Sequence, residues 1–175
     1  MTKEELKSQF EKKRTPEHWH YILSSVVASP SLFKELQKLA FSEDNNISLR
    51  ASWIMDKAAE QRADFITSDL IEYLSLKVVT HTSHSVIRAC LRLLGREELP
   101  KKNLGLLTNQ CFEWLAASGS PIAVKVHAMQ ILYRVTLLEP DLKNELKVLI
   151  EDQLPHGSAG FKSRGKRILK QLEKI

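Results

Sequence analysis

Four short stretches of this chain repeat one pattern at an almost constant interval. Ile47-Ser48-Leu49-Arg50-Ala51, Ser85-Val86-Ile87-Arg88-Ala89, Ile122-Ala123-Val124-Lys125-Val126 and Ala159-Gly160-Phe161-Lys162-Ser163 each place a basic residue directly after an apolar one. The basic residues Arg50, Arg88, Lys125 and Lys162 lie 38, 37 and 37 residues apart. Three positions after each comes Trp53, Leu91, Ala128 or Gly165, a residue able to pack on the preceding helical turn. An interval of this length holds two amphipathic helices and a turn. One such pair cannot bury its open face alone, so successive pairs must stack, which is the logic of a helical solenoid.

The rest of the chain agrees with that period. Apolar residues recur at helical spacing throughout, and no segment alternates with period two over a useful length. Thr2 ahead of Lys3-Glu4-Glu5 predicts a capped first helix running to about Lys13, with Leu6 and Phe10 on its inner face. Thr15-Pro16 and Ser29-Pro30 restart helices, because proline has no N–H to leave unsatisfied in a first turn. Later breaks fall at 42–46, 67–68, 80–85, 97–103, 118–121, 139–140 and 155–160. The expected fold is therefore all-α, a right-handed α-α superhelix of about ten helices in five antiparallel pairs. It forms a single domain over 1–175, with a degenerate capping pair at 2–28 and repeats at 30–60, 67–95, 103–138 and 140–174. The helix after Pro121 is apolar nearly all round, with only His127, Gln130 and Arg134 as a polar stripe, so it should sit at the centre of the stack.

An apolar-basic dipeptide early in the second helix of each pair resembles the HEAT repeat, and the resemblance covers residues 30–175. Asp44 matches the acidic turn residue of that pattern, whereas Thr82, Gly119 and His156 stand at the corresponding later positions. The end of the chain, from Ile150 through Gly165, also resembles small bacterial HEAT-like proteins. The resemblance implies that second helices line the concave wall of the stack, and that the basic position can serve either to tie repeats together or to bind a partner.

Charge is concentrated rather than spread. The last eighteen residues hold Lys162, Arg164, Lys166, Arg167, Lys170 and Lys174 against Glu173 alone, which accounts for the whole net charge of +5. Charge clustered on one element focuses the field toward an anionic partner. The expected contact residues are Arg50, Arg88, Lys125 and Lys162 as a row along one wall, the basic Arg164, Lys166 and Arg167, and Trp53 as a stacking surface. They point to a non-catalytic protein-interaction or scaffold module whose partner is an acidic protein segment. The alternative is a nucleic-acid-binding protein of the HEAT-like DNA-repair glycosylase type. Lys162, Lys166, Lys170 and Lys174 at four-residue spacing would then touch phosphates. No Trp-Asp-Arg set matching those enzymes stands out, and Trp53 with Asp56 is a weak echo of it.

Catalytic, metal and cofactor chemistry has little support in the sequence. Gly160 through Lys166 has the spacing of a phosphate loop, but Arg167 follows where a magnesium-binding hydroxyl is required, and no strand precedes it. His81 and His84 could approach one metal, but no nearby cysteine or carboxylate completes a ligand set. Cys90 and Cys111 lie in apolar helical stretches and read as buried thiols. No catalytic, cofactor-binding or metal-binding residue is assigned, and an enzyme is the less favoured reading. With 43% apolar residues, no secretory signal and no apolar run near the ~18 residues of a membrane span, a cytoplasmic protein without membrane contact is expected.

Overall fold

The computed structural model describes residues 1–12, 15–96 and 98–174. Among them are ten α-helices: α1 (Lys3–Gln9), α2 (Pro16–Val27), α3 (Pro30–Leu39), α4 (Asn45–Gln61), α5 (Ser68–Val78), α6 (His84–Leu94), α7 (Leu104–Ala116), α8 (Ile122–Thr136), α9 (Lys143–Gln153) and α10 (Ala159–Leu172). Single 3₁₀ turns at Ala63–Phe65 and Pro140–Leu142 lead into α5 and α9.

Local chemistry sets most of these boundaries. The Thr2 hydroxyl accepts from the Glu5 N–H at 3.1 Å while the Glu5 carboxylate accepts from the Thr2 N–H at 2.7 Å, a reciprocal cap on the first turn. Thr15 and Ser29 cap α2 and α3 immediately before Pro16 and Pro30. The Asp44 carboxylate accepts from the N–H groups of Asn46 and Ile47 and starts α4. The first helix is shorter than its pattern suggested: it closes at Phe10, and Lys13 lies outside the described residues. Glu97, in the expected break before α7, also lies outside them.

Two layers result. α4, α6, α8 and α10 pack side by side in that order, and α3, α5, α7 and α9 each back onto the helix that follows them. The packing is that of an antiparallel helical superhelix, with α2 closing one end against α3 and α4. The near-complete apolar surface of α8 is used as its sequence suggested. It packs on α6, α7, α9 and α10, and Val124, Ala128, Met129, Ile131, Leu132 and Val135 are each at most 1% exposed. Gly165 permits the close approach of α10 to α9: a Cβ there would lie 3.0 Å from Ile150 Cγ2. The phosphate-loop-like run from Gly160 to Lys166 lies inside α10 rather than in a loop, and the Phe161 N–H in its first turn donates to the Ser158 hydroxyl.

The connection before α7 is tied down by a carboxylate. Glu72 on α5 accepts from the backbone N–H groups of Lys101 and Lys102 at 2.7 and 2.9 Å and from the Asn103 amide at 3.1 Å. Burial alone would raise its pKa, but these donors outweigh burial and hold it below the usual carboxylate value. Both cysteines are buried, and burial pushes their thiols upward. Among the described residues no helix is long and apolar enough to cross a membrane.

Candidate functional site

The exposed sides of the stacked second helices enclose a cavity of about 750 Å³, lined from α2, α4, α6 and α8. Its position follows from helix phase: residues three or four apart on one helix share a face. Leu49, Trp53 and Asp56 therefore reach it together from α4, and Ser85, Arg88 and Arg92 from α6. Ala123 and His127 complete it from α8, and Trp19 closes the α2 end.

Trp53 is 41% exposed and meets Trp19 edge to face, with ring centroids 6.0 Å apart. Leu49, one turn earlier, is 43% exposed. Beside them the carboxylate of Asp56 is buried and accepts from Arg92 at 2.8 Å, with Arg96 at 3.4 Å. Burial raises the Asp56 carboxyl above its ordinary value despite the attraction of both guanidinium groups. Glu60 binds the same two arginines, with Arg96 at 3.0 Å, and accepts from Lys57 at 2.6 Å. The α4 carboxylates thus already have cationic partners.

The α8 side differs. His127 is pushed down to about 4, first by burial and then by Arg164, Arg92, Arg88 and Arg96 around it. It therefore stays neutral at ordinary pH, in surroundings that already carry excess positive charge. Arg164 and Arg167 both donate to one neutral acceptor, Gln130 Oε1, at 2.8 and 3.1 Å. Among the described residues, neither they nor Arg88 has a carboxylate partner. Burial and the adjacent Arg167 lower the Arg164 pKa, the direction expected for a cation crowded by another cation.

The four-cation row expected along one wall does not form as such. Arg50 and Arg88 line the cavity, although the Arg50 guanidinium also donates to the Phe10 carbonyl. Lys125 is only 6% exposed and turns toward α9, where its ammonium donates to Gln153 Oε1 at 2.6 Å. Lys162, Arg164, Lys166 and Arg167 of α10 all lie outside the cavity lining; Lys162 and Arg164 are half-buried, Lys166 and Arg167 exposed. The reason is rotational. An interval of 37 residues fixes distance along the chain but not helix phase, and two residues turn a side chain by about 200°. On α8 the cavity position belongs to His127, two residues beyond Lys125. The signal was present in the polar stripe His127-Gln130-Arg134 and in Arg92, one turn after Arg88. The structure also brings Trp53, Asp56 and Arg92 to one cavity, although Arg92 is 36 residues from Asp56.

The profile of a family described as a HEAT repeat domain matches residues 2–172. No curated protein and no solved structure matches the chain.

Proposed function

The chain belongs to the HEAT repeat domain family, and on that premise we propose that it is a non-catalytic scaffold holding an acidic protein segment along its second helices. What supports this is the imbalance of partners: Asp56 and Glu60 are engaged by Arg92 and Arg96, while Arg88, Arg164 and Arg167 have no carboxylate among the described residues. A segment rich in Asp or Glu would supply the missing acceptors, and charge-assisted hydrogen bonds to guanidinium groups are the stronger kind. In this reading Arg50, Arg88, Arg164, Lys166 and Arg167 face the partner, Trp53 packs on it, and Lys125 serves the fold instead.

The test is fluorescence anisotropy with a labelled hexaglutamate peptide. Arg88→Glu combined with Arg167→Glu changes two exposed residues and should leave helical circular dichroism intact. Affinity should fall about tenfold at about 50 mM salt, because reversed rim charges act through a screened field. Affinity equal to that of the unaltered protein would overturn the assignment of this face.

A second reading, nucleic-acid binding, draws on Trp53, Asp56 and Arg92 lining one cavity and on the exposed Lys166, Lys170 and Lys174 of the terminal segment. It predicts salt-steep binding of a DNA duplex that outcompetes the acidic peptide. Duplex binding that is absent at low salt would remove it.

A further inference from the structure

We propose that the groove reads a two-part motif, a bulky aromatic or aliphatic side chain at its Trp53 end followed by a cluster of carboxylates at its His127 end. The inference rests on the acidic-partner reading and adds an order to it. The two ends of the groove differ in what they leave unsatisfied. At the α4 end the carboxylates are already engaged: Lys57 donates to Glu60 and Asp56 is held by Arg92, while the Arg50 guanidinium leans back on the neutral Phe10 carbonyl with its Nε unpartnered. What stays uncovered there is apolar, the 43% exposed Leu49 and the 41% exposed Trp53. Trp53 also borders a second hollow of about 520 Å³ shared with Pro16, Trp19 and Leu23, so apolar surface continues past it. At the α8 end the balance reverses. Among the described residues Arg88 lacks a carboxylate, as do Arg164 and Arg167 of α10 beyond the cavity lining, and neutral His127 lies near Arg88 and Arg164.

Only a ligand with the same polarity satisfies both ends. A purely acidic strand would lay carboxylates over Leu49 and Trp53, forfeiting the burial of apolar surface. A purely apolar one would desolvate unpaired guanidinium groups. The span sets the spacing. Neighbouring helices lie about 10 Å apart, so α4 to α8 is about 20 Å. An extended peptide at about 3.3 Å per residue covers this with about six residues. The occupant is therefore a polypeptide segment with an apolar anchor and acidic residues about six positions away.

Three labelled peptides test this by anisotropy: phenylalanine, a Gly-Ser spacer of about five residues and tetraglutamate; the same peptide with serine for phenylalanine; and one with phenylalanine directly beside the glutamates. The spaced phenylalanine peptide should bind about fivefold more tightly than the other two, the gain expected from covering part of one aromatic ring. Trp53→Ala and, as the milder change at an exposed position, Leu49→Ser should erase that preference without weakening the serine peptide. Arg88→Glu should weaken all three. Equal binding of the phenylalanine and serine peptides to the unaltered protein would overturn the two-part motif while leaving the acidic-partner reading intact. Failure of all three to bind would overturn both.

Discussion

Replacing Gln153 by leucine should destabilise the protein by about 3 kcal/mol, more than its half-buried position suggests, because the change strands a buried cation. Lys125 is 6% exposed, and its ammonium has the Gln153 amide oxygen, at 2.6 Å, as its acceptor. Burial already lowers the Lys125 pKa. The same amide donates through Nε2 to the Leu115 carbonyl at 2.9 Å, joining α8 and α9 to the end of α7. Leucine in its place removes all of these bonds. The double variant Gln153→Leu with Lys125→Met should recover most of the loss, since it removes the stranded charge and keeps similar volume. Urea denaturation of the two single variants and the double variant measures the coupling. Additive losses would show that Lys125 does not depend on Gln153. The lowered pKa also fixes a pH trend. The folded state binds the Lys125 proton less tightly than the unfolded chain, so this residue's contribution to stability increases as pH rises toward 10.5.

Asp56→Ala should have two opposite effects. Folding stability should drop by about 2 kcal/mol, because a buried carboxylate holding two guanidinium groups is lost. The cost is moderated because the Arg92 and Arg96 side chains are 36% and 32% exposed, can regain water, and keep Glu60. Affinity for hexaglutamate should rise about tenfold at low salt, because the cavity loses its buried negative charge while Arg88 and Arg92 stay. Thermal melting and anisotropy read the two effects separately. Weaker peptide binding by a variant with intact helical content would mean that Asp56 positions the arginines for the partner rather than competing with it.

Much of the architecture was legible because its determinants are local. Thr2, Thr15-Pro16 and Ser29-Pro30 each announce a helix start within four residues, and the apolar run of α8 foretold its crowded position. The site was legible only in part because it depends on rotation between helices. Arg50, Arg88 and Trp53 line the cavity, while Lys125 differs from His127 by two residues and faces a different neighbour. The pairing of Asp56 with Arg92 could not be read from the chain either. It joins residues 36 apart, and the rotation of both helices decides whether they meet. The pairing of Arg164 and Arg167 with the amide of Gln130 is likewise a property of packing.

The central claim is that the second-helix groove is the binding face, and heteronuclear NMR of the labelled protein tests it most directly. On titration with the spaced phenylalanine-tetraglutamate peptide, perturbations should concentrate at the Trp53 indole and at the backbone of Leu49, Arg88 and His127. Perturbations concentrated instead in the acidic hollow lined by Phe112, Leu142 and Glu145, or scattered evenly over the surface, would contradict it.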